Sequence, residues 1–135
     1  MPDPTVPALP DAAAPCPCRS GAPFGDCCRP YLAGESLAPT AVQLMRSRYT
    51  AFAVRDAAYL LATWHPSTRP RTLEPDPAIR WRSLEIVRTE RGGPLDREGV
   101  VEFVARYDVD GERGAQREVS RFVRDDRWRY VDALA

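Results

Sequence analysis

Hydrophobic residues follow two different periods along this chain, and the period changes after residue 78. In the first region apolar residues recur three and four positions apart, which is the period of an amphipathic helix. A capping box at Thr40 predicts that one helix starts there, and Asp56 is the expected N-cap of a second helix that reaches Trp64. Arg46 and Arg55 lie off the apolar stripe, so both are expected to face water.

Residues beyond position 78 alternate between apolar and polar and are rich in valine and aromatic side chains, as β-strands are. The predicted strands span residues 81–91, 100–109, 116–123 and 127–132. Asp110-Gly111 between two of them is a strong signal for a tight hairpin. Two helices followed by an antiparallel meander predict an α+β fold in which the helices cover one face of a curved sheet.

A short segment ahead of the helices contains all 4 cysteines of the chain, namely Cys16, Cys18, Cys27 and Cys28. Four thiolates in two close pairs are what a tetrahedral zinc ion requires, and a closed sulfur shell makes such a zinc structural. Two disulfides between the pairs are the alternative. The start of the chain lacks the basic and apolar regions of an export signal, so we expect a cytoplasmic protein whose cysteines hold metal.

The length of 135 residues suits one domain with a short appendage. Composition divides the chain into a proline- and alanine-rich flexible leader at residues 1–15, the zinc hairpin at 16–30 and the α+β domain at 31–135. The 19 basic and 19 acidic residues cancel, so no overall charge attracts nucleic acid. No apolar run approaches the roughly 18 residues of a membrane span.

The cysteine segment, with its Ser20-Gly21 pair and Phe24, resembles the SEC-C motif, a zinc-binding hairpin found at the carboxyl end of the SecA translocase motor. In that setting the hairpin docks other macromolecules, so the resemblance implies a protein partner. The order of helices and strands is similar to the nuclear transport factor two-like cone, whose sheet wraps around helices to form a pocket. The runs at residues 44–49, 60–70, 101–107 and 118–122 resemble the YchJ family, which joins such a hairpin to such a cone and has no established activity.

His65 is the only histidine and sits at the end of the second predicted helix. It is either a general acid or anion contact at the mouth of the cone, or the residue that caps the helix and holds the following turn. Glu102 lies on a strand with apolar residues on both faces, so it is a candidate to meet His65 inside the cone and transfer a proton. A salt-bridged position on the sheet is the alternative for Glu102. Tyr49 is the third catalytic candidate.

A second group of side chains suits a small anionic or aromatic ligand. The ligand-binding candidates are Arg48, Trp64, Ser67, Arg69 and Arg121. The rings of Tyr49 and Trp64 also stand at core positions of the two helices. Arg48 adjoins the buried stripe, and a half-buried guanidinium requires a carboxylate partner. The partners available on the strands are Glu85, Glu102 and Glu118.

Three functions are compatible with these features. The first is an interaction module in which the zinc hairpin docks a partner and the cone offers a platform or a small-ligand pocket. The second is a small cone-fold enzyme, an isomerase, dehydratase or hydrolase, that uses His65 with Glu102 or Tyr49. The third is nucleic-acid or ribosome binding through the hairpin, where Arg19 and Arg29 either offset the thiolate charge or are simply solvated.

Overall fold

Helices and a four-stranded antiparallel sheet make up the computed structural model, which describes residues 9–135. In chain order the elements are a 3-10 turn at Phe24–Asp26, α1 at Arg29–Leu32, α2 at Ala41–Ala53, α3 at Ala57–Ala62, β1 at Ile79–Arg91, β2 at Glu98–Val109, β3 at Glu112–Arg124 and β4 at Trp128–Ala133. The strands form a meander in the order β1-β2-β3-β4. The predicted α+β architecture is therefore confirmed. Within the described residues, every helix is too short or too polar to cross a bilayer.

A two-residue turn sets the pairing of the two central strands. Asp110 and Gly111 both have positive φ, 51° and 80°, as a primed hairpin turn requires. The register that follows from this turn pairs Val109 with Glu112 and Phe103 with Glu118. Irregular pairing at two places in β1 bends that strand against β2, which adds to the curvature of the sheet.

The amino end of α2 packs against the turn between β1 and β2. Thr40 Oγ1 accepts a hydrogen bond of 3.2 Å from the Gln43 amide, which confirms the predicted helix start. The Thr40 hydroxyl donates to Gln43 Oε1 at 3.0 Å. The predicted capping box differs, because there the Gln43 side chain accepts from the Thr40 backbone amide. Ala41 N donates to Gly92 O at 2.9 Å, and a Cβ at Gly92 would lie 2.8 Å from the Ala41 Cβ. Glycine is therefore required for this close approach.

α3 is two residues shorter than predicted. The Asp56 side chain accepts from the Tyr59 amide at 3.0 Å, so the predicted N-cap is confirmed. The chain then leaves the helix because its backbone pairs with β4: Tyr130 N donates to Thr63 O at 2.9 Å, and His65 N donates to Tyr130 O at 2.8 Å. This pairing places Trp64 outside the helix and beside the sheet.

The main buried cluster joins α2, the sheet and the cysteine hairpin. From α2 and the sheet it includes Leu44, Met45, Tyr49, Leu84, Val101, Phe103, Phe122 and Trp128, and from the hairpin it includes Cys16, Cys18, Phe24 and Cys28. The interior of the hairpin is therefore continuous with the core of the domain. The division of the chain into units at residues 16 and 31 stays a prediction.

Residues 1–8 of the predicted leader lie outside the described residues. Its later part pairs with the hairpin, since Phe24 N donates to Ala14 O and Gly25 N donates to Ala12 O, both at 2.8 Å. A Cβ at Gly25 would lie 2.8 Å from the Ala12 Cβ, so this contact also depends on glycine.

Candidate metal centre and ligand pocket

Two tight turns bring the cysteine pairs together. In the first turn Arg19 N donates to Cys16 O and Cys16 N donates to Ala22 O, both at 3.0 Å. The chain turns here through left-handed backbone at Arg19 and Gly21, with φ of 63° and 94°. The 3-10 turn at Phe24–Asp26 then leads directly into the second pair of cysteines.

The four cysteine sulfurs form one compact cluster. Their Sγ atoms all lie within 4.8 Å of one another, and the group could hold a metal ion. The Sγ of Cys27 lies 3.6 Å from that of Cys18 and 3.9 Å from that of Cys28. All four residues are free cysteines, so the disulfide alternative is not the arrangement present. Cys16, Cys18 and Cys28 are buried, and Cys27 is half-buried.

α2 supplies the polar contacts at the inner side of the cluster. Arg46 Nη1 donates to Cys18 O at 3.0 Å and lies 3.9 Å from the Cys18 Sγ. Thr50 Oγ1 lies 3.8 Å from the Cys16 Sγ. Hydrogen bonding from the Cys16 thiol holds the pKa of the Cys18 thiol well below its ordinary value, whereas burial raises the pKa of Cys27 to about 11. The Cys18 sulfur is also the one that lies beside the Arg46 guanidinium.

The expectation that Arg46 faces water is wrong. The period of α2 places Arg46 off the apolar stripe, but the hairpin covers that side of the helix, so the side chain is half-buried against Cys18. Arg19 and Arg29, which the sequence places beside the cysteines, are exposed. Arg19 Nε donates to the carbonyl oxygen of Arg82 on β1 at 3.1 Å and so ties the hairpin to the sheet.

A cavity of about 320 Å³ lies between α2 and the concave face of the sheet. Its lining residues are Met45, Arg48, Tyr49, Phe52, Trp64, Trp81, Phe103, Ala105, Gln116, Glu118, Ser120 and Tyr130. Three of the candidates, Arg48, Tyr49 and Trp64, are thus brought together in one pocket. Most of the wall is apolar and aromatic, which is usual for a small-molecule site.

Arg48 is the buried charge of this pocket, with 3% of its surface exposed. Its Nη1 donates to Leu60 O at 2.8 Å and to Thr63 Oγ1 at 2.7 Å. Its Cζ lies 5.0 Å from the centre of the Trp64 ring and 4.8 Å from that of Tyr130, within range for cation–π attraction. Burial lowers the pKa of the Arg48 guanidinium to about 10, so it remains charged at neutral pH.

Glu118 is the carboxylate of the pocket. Its Oε2 accepts from Ser120 Oγ at 2.5 Å and from the Tyr130 hydroxyl at 3.2 Å. Burial, followed by the negative charge of Glu118, raises the pKa of Tyr130, so the phenol stays protonated and donates. Glu118 is the only one of the three proposed partners of Arg48 that lines the cavity, and it forms no ion pair with Arg48.

The other two glutamates pair with arginines of the sheet. Glu85 Oε1 lies 3.0 Å from Arg106 Nη2. Glu102 accepts from Arg88 Nε at 2.8 Å and from the Arg117 guanidinium. Arg117 and, to a smaller extent, Arg88 hold the pKa of the Glu102 carboxyl below its usual range. Glu102 is therefore salt-bridged on the sheet, which was the alternative to a place inside the cone.

The remaining candidates lie outside the cavity lining. His65 Nδ1 accepts from the Ser67 amide at 3.1 Å and lies 2.7 Å from Ser67 Oγ, which stabilises the turn after α3. Arg69 donates to Trp64 O, and Arg121 pairs with Asp132 at 3.2 Å. The described structure does not bring His65 and Glu102 together. A catalytic role for either residue stays a prediction.

Glu118 and Tyr130 belong to the pocket although the hydrophobic pattern does not single them out. For Glu118 the sequence does contain a signal. If the strands are paired outward from the Asp110-Gly111 turn, Phe103 lies opposite Glu118. Both residues must then share the inner face of the sheet. For Tyr130 no such signal exists, because its contact with Arg48 depends on how far the sheet curves.

A curved antiparallel sheet packed on helices, with a cysteine hairpin ahead of them, defines a cone-like α+β fold with a four-cysteine cluster that could hold a metal ion. Two solved structures share this arrangement. The solution structure of a SEC-C motif containing protein from Rhodopseudomonas palustris matches with a TM-score of 0.77 and 31% identity, over 89% of this chain and 97% of that one. The crystal structure of a SEC-C motif containing protein from Psychrobacter arcticus matches with a TM-score of 0.74 and 27% identity, over 90% and 82%.

The sequence comparisons identify the family. The model described as YchJ, middle NTF2-like domain, matches residues 40–133, and the chain belongs to this family. A UPF0225 protein of Chromobacterium violaceum is 52% identical over 128 residues, which cover 91% of this chain and 94% of that protein. A UPF0225 protein of Streptomyces coelicolor is 47% identical over 119 residues, which cover 87% and 93%. The predicted resemblance is therefore confirmed, and no specific activity is established for the family.

Proposed function

We propose that this protein is a zinc-containing binding module: a zinc ion fixes the hairpin, the pocket of the cone takes a small ligand, and the hairpin surface docks a protein partner. The observation that carries the proposal is the cavity of about 320 Å³, in which a buried guanidinium lies among aromatic rings. Sites for small molecules occupy about 300–1,000 Å³, so this cavity suits a compact ligand.

The sulfur geometry supports zinc as the metal. In a tetrahedral site with Zn–S bonds of about 2.3 Å, neighbouring sulfurs lie about 3.8 Å apart. The Sγ distances of 3.6 Å and 3.9 Å around Cys27 agree with this edge. Four sulfur ligands leave no position for a reacting water, so the role of the zinc is structural. Because thiolates require a reducing compartment, the cytoplasm is part of the proposal.

Elemental analysis of the purified protein by mass spectrometry tests the metal. We expect one zinc ion per chain, and its loss in Cys27→Ser. A different metal at the same stoichiometry, or a protein that binds no metal and has two disulfides, would contradict this part of the proposal.

The positions of the candidate catalytic residues favour binding over catalysis. Tyr49 lines the cavity, whereas His65 is held by Ser67 and Glu102 by two arginines. General acid–base catalysis needs an acid and a base within reach of one substrate. Glu118 does lie in the cavity, and its Oε2 already accepts two hydrogen bonds from the protein.

Ligand-observed NMR with a library of small aromatic and aliphatic fragments tests the pocket. Gln116 lines the cavity and is exposed, so Gln116→Trp should block the cavity without disturbing the core. Ala115→Trp is the matched control, because Ala115 is the neighbouring exposed residue and points to the other face of β3. We expect some fragments to bind both the wild type and Ala115→Trp and to fail to bind Gln116→Trp. If no fragment shows this pattern, the cavity is not a binding site.

The exposed tip of the hairpin supports a protein partner. Ser20, Gly21 and Pro23 are exposed, while Phe24 behind them is buried and anchors the turn. Binding of nucleic acid is less well supported than binding of a protein, because the net charge of the chain is zero. Proximity labelling in cells should identify a protein partner that also binds the purified chain. Labelling of this partner should be lost with Pro23→Glu. It should be retained with the control Leu95→Glu, which changes the β1–β2 turn instead of the tip. The same labelling pattern for both variants would contradict docking at the tip.

A further inference from the structure

The guanidinium of Arg48 is buried in the wall of the cavity. Among residues 9–135 its Nη1 donates to the backbone oxygen of Leu60 and to the hydroxyl of Thr63. Within residues 9–135 no carboxylate forms an ion pair with Arg48. A buried charge without a partner is strongly unfavourable, and the two aromatic rings beside it only partly replace the lost water. The surroundings of the Arg48 guanidinium therefore favour a bound anion.

Trp64, which also lines the cavity, carries a second donor without a partner among residues 9–135. Its Nε1 is buried and has no hydrogen-bond partner in the described part of the chain. Trp64 and Arg48 both line the cavity, and the Arg48 Cζ is 5.0 Å from the Trp64 ring centre. Buried indole N–H groups normally have an acceptor. A carboxylate has two oxygens and can accept from both residues at once.

The rest of the wall defines the body of the ligand. Met45, Phe52, Trp81 and Phe103 present apolar surface, and Trp81 lies edge-on to Tyr49 with ring centres 6.0 Å apart. Such a surface favours a short aromatic or aliphatic group over a sugar or a phosphate ester. The volume of about 320 Å³ leaves room for one ring and its acid group.

Glu118 is compatible with an anion in this pocket. Ser120 and Tyr130 donate to its Oε2, and Gln116 Nε2 donates to its Oε1 at 3.4 Å, so three protein donors share its charge. The Tyr130 ring, 4.8 Å from the Arg48 Cζ, carries the hydroxyl that binds Glu118. Burial lowers the pKa of Arg48 and the nearby charge of Glu118 partly offsets this, yet within residues 9–135 the two side chains form no ion pair.

We propose that the pocket binds a small organic carboxylate with an apolar, preferably aromatic, body. The carboxylate accepts hydrogen bonds from Arg48 and from Trp64 Nε1, and the body packs against Phe52, Trp81 and Phe103. This inference rests on the proposed function as a ligand-binding module and specifies the chemical class of the ligand.

Isothermal titration calorimetry with three matched probes tests the ligand class. Phenylacetate, phenylacetamide and phenethylamine share one ring and differ in the charge of the head group. We expect phenylacetate to bind at least about tenfold more tightly than the amide, which is the usual gain for a charge-assisted hydrogen bond. The amine should be the weakest of the three. Equal binding of acid and amide, or preferred binding of the amine, would overturn the inference and point to Glu118 as the selective group.

Variants assign the preference to its residues. Arg48→Met removes the charge and keeps an apolar side chain of similar length, and it should abolish the preference for phenylacetate over phenylacetamide. Trp64→Phe keeps an aromatic ring and removes Nε1, and it should weaken phenylacetate about three- to tenfold. If Arg48→Met does not fold, the weaker binding of phenylacetate by Trp64→Phe still tests the inference. An acid preference that survives in every folded variant would overturn the assignment.

Failure of the inference and failure of the proposed function give different results. If fragments bind and are blocked by Gln116→Trp, but phenylacetate neither binds nor competes with them, only the carboxylate inference fails. If no fragment is sensitive to Gln116→Trp, both fail.

Discussion

Arg46 donates a hydrogen bond of 3.0 Å from Nη1 to the carbonyl oxygen of Cys18. One helix thus contacts both the cysteine cluster and the pocket. Arg46 and Thr50 of α2 contact the cysteine hairpin, while Arg48 and Tyr49 of the same helix line the pocket. Arg46 and Thr50 are four residues apart and share one helix face, whereas Arg48 is two positions from each of them and points to the opposite side.

Removing the Arg46 contact should loosen the hairpin. We expect Arg46→Gln to destabilise the protein by about 1 kcal/mol, because the hydrogen bond is charge-assisted but half-exposed. Zinc affinity should fall about tenfold, as for other groups that orient metal ligands. Chelator competition and urea unfolding measure the two effects. Arg29→Gln is the control, since Arg29 flanks the cysteines, is exposed and makes no side-chain hydrogen bond in the described structure. Equal effects of both variants would show that only overall charge matters.

Loss of the metal should destabilise the domain as well as the hairpin. Cys16, Cys18, Cys28 and Phe24 belong to the same buried cluster as Leu44 of α2. We expect Cys27→Ser to bind no zinc and to lower the unfolding midpoint by at least about 5 °C in a single transition. Calorimetry of wild type with and without chelator provides the comparison. An unchanged midpoint would support a boundary at residue 31 between two independent units.

The ion pairs of Glu102 make stability depend on pH. Arg117 and Arg88 hold the pKa of this carboxyl below its ordinary value of 4.5. Its contribution is therefore complete above pH 4.5 and is lost as the pH falls through the lower pKa of the folded state. Glu102→Gln should lower the urea midpoint at neutral pH, and the difference from wild type should shrink as the pH is lowered below 4.5. Glu85→Gln, which breaks an exposed pair, should change little. A pH-independent difference would contradict the role of the charge.

Two buried tyrosines, Tyr59 and Tyr49, should respond differently to loss of the hydroxyl. The Tyr59 hydroxyl lies 2.7 Å from Ser47 Oγ, so Tyr59→Phe should destabilise the protein by about 1 kcal/mol. The Tyr49 hydroxyl is buried without a partner in the described residues, so Tyr49→Phe should cause no loss. Urea unfolding of the two variants measures the contrast. If Tyr49→Phe proved the more destabilising of the two, its hydroxyl would have a partner, such as an ordered water.

Local sequence signals predicted most elements and the cysteine cluster. Thr40 and Asp56 are caps that act on amides three residues away, and the Asp110-Gly111 turn determines the pairing of β2 with β3. The four cysteines fall in two close pairs, so a short hairpin suffices to bring their sulfurs together. In each case the interacting groups are close in the chain.

Only the tertiary structure decided how side chains from distant segments meet. Periodicity assigns a residue to a face but gives neither its depth nor its neighbour, and for this reason Arg46 proved to contact Cys18. Arg48 and Tyr130 are likewise far apart in sequence and meet because the sheet curves over α2. Glu102 was placed against arginines of the neighbouring strands, away from His65, by strand alternation combined with register. The sequence by itself therefore determined the elements and the cysteine hairpin, while packing of the helix against the curved sheet decided the contents of the pocket.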